Sequence, residues 1–146
     1  MFKQIIKNIK INLETPKEKE ARVLKHLKTF LIYEGWELTS HHIVSLGAYK
    51  KHAGVYTDGV IFMDPRLSLY GKIRVYIHEQ RHHYQFTQTD AAEREIFITA
   101  QAELQFGHVS YEEAYHEVDA RNYEEIFYKK FVEYCKINKI KGLKNV

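Results

Sequence analysis

Ala21, Leu24, Leu27, Leu31 and Ile32 recur at helical spacing behind Thr15-Pro16-Lys17-Glu18, which joins a Thr cap, Pro at the first helical position and Glu three residues after the cap. This predicts a helix over 16–33, ended by Gly35. Residues 3–13 alternate loosely through Ile5, Ile6, Ile9, Ile11 and Leu13, which fits a strand and a frayed helix equally. Between 36 and 64 the pattern turns to β-branched and aromatic runs, His42-Ile43-Val44-Ser45-Leu46 and Val60-Ile61-Phe62-Met63. Gly47, Gly54 and the turn pair Asp58-Gly59 separate them, so two or three short strands are expected. Asp64-Pro65 closes this section, because the residue before a proline is pushed out of the helical region.

Ile73, Ile77 and Tyr84 then repeat at helical intervals, predicting a helix over about 69–86. Asp90 caps a third helix over about 91–105, which Gly107 ends. Ser110-Tyr111-Glu112-Glu113 reads as another capping box, opening a long helix through Ala114, Val118, Ile126, Phe127 and Phe131 to about 137. The lysine-rich tail over 136–146 reads as loose. The expected architecture is a single α+β domain over 1–146: one helix, a small and mainly antiparallel sheet packed on the 69–86 helix, then two further helices.

Composition narrows the picture. At 146 residues the chain has the size of one ordinary domain. Its 45% hydrophobic and 28% charged residues, with 7 Gly and 2 Pro, argue against disorder and collagen. No run of about 18 apolar residues occurs, which argues against a membrane partner. A net charge of +3 falls well short of a dedicated duplex-DNA binder, so a nucleic-acid partner is not expected. The lone Cys135 cannot pair within the chain, and the opening Met1-Phe2-Lys3-Gln4-Ile5-Ile6-Lys7 builds no secretory apolar run. Cytoplasmic localisation is the expectation; nothing in the pattern sets the oligomeric state.

The chemistry concentrates in Tyr76-Ile77-His78-Glu79-Gln80-Arg81-His82-His83-Tyr84-Gln85. Helical positions four apart share a face about 6 Å apart, so His78 and His82 aim two imidazoles at one ion. Glu79 then stands beside the ion, where a carboxylate can take a proton from an attacking water and pass it to a leaving amine. A catalytic zinc site needs a third protein ligand and one open position, and Tyr115-His116-Glu117-Val118-Asp119-Ala120 offers Glu117. Glu113, one turn earlier on the same predicted face, is the alternative third ligand. His116 projects about 100° from Glu117 around a helix. The bland reading of the whole window is an amphipathic helix with solvated or ordinarily hydrogen-bonded histidines.

HExxHxxQ over 78–85, followed by Glu117-Val118-Asp119-Ala120 in the form E-x-D-A, resembles zincin-like metallopeptidases of the gluzincin kind, small phage and bacterial intracellular members included. The resemblance covers roughly 60–125. It implies a zincin-like fold, Zn2+ held by His78, His82 and Glu117, Glu79 as catalytic base, and hydrolysis of a protein or peptide substrate. Some members place an Asp four residues after the ligand Glu; Asp119 stands only two after Glu117 and is expected to point elsewhere. A non-catalytic zincin-like metal-binding protein acting through protein–protein contact is the competing reading.

An oxyanion donor is also required. Tyr84, Tyr111, Tyr115, His83 and Arg121 are candidates among which the sequence does not choose, and for each tyrosine packing is the plainer role. Gln85 shares a face with the two histidines and fits either an orienting group or a packing amide. Cys135 reads as a small core residue, Trp36 as a core anchor, Lys129-Lys130 as a solvated face, and His41-His42 as an accidental pair.

Overall fold

A computed structural model describes residues 14–47 and 51–143. The elements are α1 (Pro16–Tyr33), β1 (His41–Ile43), β2 (Gly54–Thr57), β3 (Val60–Met63), α2 (Leu69–Thr87), α3 (Ala91–Gln105) and α4 (Tyr115–Ile137). The small α+β outline read from the pattern is present. The open reading of 3–13 lies outside the described residues.

α1 begins as expected: Thr15 Oγ1 accepts from the Glu18 backbone N–H at 3.1 Å. It ends in a paired-carbonyl cap, Gly35 N donating to Ile32 O and Trp36 N to Leu31 O, both at 3.0 Å. That cap needs the left-handed φ of +89° that Gly35 supplies. Val23, Leu24, Leu27, Phe30 and Leu31 form its buried face. They meet Ile61 and Met63 of β3, Ile73, Tyr76 and Ile77 of α2, and Tyr128, Phe131, Val132 and Cys135 of α4 in one core. Cys135 is therefore the small core residue expected, and burial pushes its thiol up to about 11. Trp36 packs edge-on to Phe127 at 4.8 Å.

The sheet is mixed rather than mainly antiparallel. β3 lies in the middle, antiparallel to β2 and parallel to β1. β2 and β3 form a hairpin through Asp58 and Gly59, both at positive φ, the two-residue turn whose twist matches the strands. The chain between β1 and β2 is long enough to step past β3, and the all-apolar Val60-Ile61-Phe62-Met63 takes the central place, with Ile61 and Met63 buried beneath it. The first strand is shorter than the 42–46 run because Val44 onward leaves the ladder after one bond to Met63 O.

α2 is fixed against its neighbours by buried polar contacts. Gln80, 1% exposed, bonds both the N–H and the C=O of Thr39 at 3.0 and 2.9 Å, tying the helix to the residues leading into β1. Lys72 Nζ reaches Glu20 Oε1 of α1 at 2.8 Å. On the other side β2 lies so near α2 that a Cβ on Gly54 would stand 2.3 Å from Val75 Cγ1 and 3.3 Å from the Glu79 carboxylate.

Two further expectations change. The Ser110 capping box does not cap α4: residues 111–113 form a turn closed by Ala114 N to Ser110 O at 3.0 Å, and the helix starts at Tyr115 with no side-chain cap. Buried Ala114 occupies the cap position, at 1% exposure, where a polar cap would lose its water. The tail is not loose over 138–143, since Ile140 and Leu143 pack on the core and Lys141 O accepts from Arg22 at 2.7 Å. Lys129 is solvated as expected and pairs with Glu125 at 3.1 Å. Among the described residues no helix is long and apolar enough to cross a membrane.

Candidate metal centre

The site forms where α2 crosses α4, the most extensive helix pairing of the fold. His78 and His82 project from one face of α2 with ring centroids 4.9 Å apart. Glu117, in the first turn of α4, lies between them: its Oε2 is 3.0 Å from His78 Nε2 and its Oε1 is 3.4 Å from His82 Nε2. All three residues are buried, and their donor atoms fall within 4.8 Å of one another. Donors around a four-coordinate ion with bonds of about 2.0–2.1 Å stand about 3.3–3.4 Å apart, so this set could close on a divalent cation with small adjustments. Glu113 does not join the cluster: it is exposed in the turn before α4, because the helix begins two residues after it.

What lies behind each ring decides which nitrogen is available. Gln85 is fully buried, and its Nε2 donates to Asp119 Oδ2 at 2.7 Å and to His116 O at 2.8 Å. Its Oε1 is thereby turned to His82 Nδ1 at 2.8 Å and must accept there. His82 thus donates from Nδ1, and Nε2 is the nitrogen that faces Glu117 and would be presented to an ion. Asp119 is clamped in turn by Arg81, at 2.7 and 3.2 Å, and the Arg81 guanidinium is held between the rings of Tyr84 and Tyr123 at 4.3 and 3.5 Å. Asp119, expected to point elsewhere than Glu117, touches none of the three cluster residues. It reaches the centre through the amide of Gln85 instead of touching a histidine itself.

His78 has a carboxylate in the same role. Its Nδ1 lies 3.2 Å from Glu124 Oε2, and Glu124 is held by Arg74 at 2.6 Å. Sequence reasoning passed over Glu124. The signal was present, since seven residues separate it from Glu117 and place both on one face of α4, two turns apart.

Electrostatics follow from this arrangement. Burial opposes protonation of His78, but the carboxylates of Glu117 and Glu124 on its two nitrogens outweigh it and raise the ring to about 10 in the absence of a cation. Burial likewise works against the charge of Glu117, yet the bonds from His78 and His82 hold its pKa well below the usual carboxylate range. The two carboxylates thus favour a positive charge at this centre, as the raised His78 ring shows.

Glu79, 7% exposed, stands one residue from His78 at the mouth of the site. Burial pushes its pKa upward, partly opposed by the His82 and His78 rings and the Tyr56 backbone N–H. It shares a cleft of about 210 Å3 with His78, Tyr111, Arg121 and Glu124. Of the five candidate oxyanion donors only Tyr111 and Arg121 line this cleft. Tyr84 lies under Arg81, His83 Nδ1 meets the Tyr56 hydroxyl at 3.1 Å, and Tyr115 stacks on Phe97. Burial and the neighbouring Glu117 carboxylate raise the Tyr111 phenol, keeping it a neutral donor.

His116, 3% exposed, places Nε2 3.5 Å from Glu117 Oε1. It adjoins the three-residue cluster without joining it, and burial lowers its pKa. The chain matches no protein-family model, no curated protein and no solved structure.

Proposed function

We propose that the protein is a zinc-dependent peptidase of zincin-like character. The observation that carries the reading is the convergence of His78 Nε2, His82 Nε2 and the Glu117 carboxylate beside a cleft that also holds Glu79. Two imidazoles and one carboxylate suit zinc, and three protein ligands leave the open position that distinguishes a catalytic from a structural site. Zinc bound there would supply a Lewis acid that brings the pKa of water toward about 7 and polarises a carbonyl.

The chain's own residues would do the rest. Gln85 and Glu124 hold the two rings in the tautomer that presents Nε2. Glu79, its affinity for a proton raised by burial, takes one from the attacking water and delivers it to the leaving amine. Tyr111 offers its hydroxyl to the charge that develops on the carbonyl oxygen.

Metal content and turnover, measured together on two variants, test the reading. Glu79→Gln should keep one zinc per chain while losing about 10²–10⁴-fold in peptide hydrolysis. His82→Ala should lose the metal. Stoichiometric zinc that survives His82→Ala would remove the site, and zinc-loaded wild-type protein with no turnover over a broad peptide mixture would remove the peptidase.

A further inference from the structure

Arg121 lines the cleft with His78 and Glu79, and its charge is not answered there. The arginines of α2 and of the preceding loop are each matched to carboxylates: Arg74 to Glu124 and Glu125, Arg81 to Asp119, Arg66 to Asp64. Among the described residues Arg121 forms no ion pair. Its hydrogen bonds run instead to two main-chain carbonyls, Glu112 O at 2.6 Å from NH2 and Tyr111 O at 3.4 Å from NH1. The Tyr111 ring lies 5.4 Å from the guanidinium carbon. Those contacts fix the head group by one side, and Nε–H has no partner among the described residues. A guanidinium held this way presents directed donors to a planar acceptor, the geometry that makes arginine suited to carboxylates.

Of the nearby carboxylates, Glu124 is answered by Arg74, Glu117 faces the two imidazoles, and Glu79, which lines the same cleft, makes no ion pair with Arg121 among the described residues. At about 210 Å3 the cleft is smaller than the roughly 300–1,000 Å3 pockets that enclose drug-sized ligands, and suits one residue of an extended chain.

We propose that Arg121, steadied by the Tyr111–Glu112 turn, receives a carboxylate of the bound peptide, so that the cleft selects chains carrying a negative charge next to the bond presented to Glu79. The proposal rests on the peptidase reading for its substrate class. The carboxylate has two sources, an acidic side chain or the free C-terminus, and one experiment separates them.

Binding of three fluorescent hexapeptides to the zinc-loaded full chain carrying Glu79→Gln is followed by anisotropy. The peptides are one with an internal acidic residue and an amidated end, one neutral with a free C-terminus, and one neutral and amidated. At least one carboxylate peptide should bind about 10-fold or more tightly than the neutral amide, which is about 1.4 kcal/mol, and the stronger of the two names the source. Adding Arg121→Gln should bring that ratio within about twofold of unity, whereas Arg121→Lys, which keeps the charge, should retain a several-fold preference. Equal binding of the three peptides, absence of binding, or a ratio that survives Arg121→Gln because another group holds the carboxylate would each overturn the proposal. If Arg121→Gln does not melt cooperatively, Arg121→Met is read in its place; equal ratios in Arg121→Lys and the neutral variant would reduce Arg121 to a pin for the turn. Hydrolysis of the same peptides by the wild-type chain separates the two readings, since Arg121-dependent binding without cleavage refutes the peptidase alone.

Discussion

Gln85 Nε2 stands 2.7 Å from Asp119 Oδ2, and that bond determines which nitrogen of His82 is free. An amide whose NH2 is taken by Asp119 and the His116 carbonyl can offer only its oxygen to the ring. The tautomer is thus set two residues away from any metal, by a carboxylate that Arg81 holds in place.

Removing that orientation should cost metal affinity before it costs the fold. Gln85→Leu should weaken zinc binding about 10–100-fold in competition with a chelator, the usual range for groups that orient a ligating histidine. Glu124→Gln should act in the same range through His78, because the carboxylate on Nδ1 gives way to a neutral amide. Affinities unchanged in both variants would mean that the rings find their orientation without these partners.

How much of this was legible in the sequence depends on the reach of each signal. α1 and α3 run as read because their caps are local: Thr15 and Asp90 each bond a backbone N–H three residues on. The parallel pairing of β1 with β3 was not legible, since it is set by which strand takes the centre of the sheet and not by any residue of β1. The pair His78 and His82 follows from helical spacing alone. Their partners do not: H-x-x-Q on α2 and E-x-D on α4 are each local patterns, and only the crossing of the two helices brings Gln85 and Asp119 together. Glu124 is invisible for the same reason until the facing ring is known. The Ser110 signal failed because the turn is held by its tertiary neighbour Arg121 and the cap position is buried.

Gly54 should be the least replaceable position of the sheet. Its Cβ would meet Val75 Cγ1 at 2.3 Å, and a β-branched side chain inside a helix has little rotamer freedom with which to withdraw. Gly54→Ala is expected to destabilise the protein by about 1–3 kcal/mol in urea denaturation, the range for an overpacked contact. Because Glu79 lies 3.3 Å from the same point, the displaced strand should also lower turnover while zinc content is kept. A stability change within about 0.5 kcal/mol would show that β2 can move aside freely.

His41 should make stability depend on pH. It stands edge-on to the Tyr76 ring at 5.2 Å, and burial, with the charges of Lys28 and His42 added, lowers its pKa to about 4. The unfolded ring takes up a proton near pH 6.5 and the folded one only near 4, so between these values the unfolded state binds more protons and stability falls as pH falls. Below about 4 both states are protonated and this contribution stops changing. Because the ring is only half buried, the loss should be about 1–2 kcal/mol, less than the full shift would give. His41→Gln has no proton to gain there. The difference in unfolding free energy between wild type and His41→Gln should therefore move by that amount in favour of the variant from pH 7 to pH 4.5. A difference that stays constant over that interval would show that His41 is protonated equally in both states and that the Tyr76 contact does not exclude the charged ring.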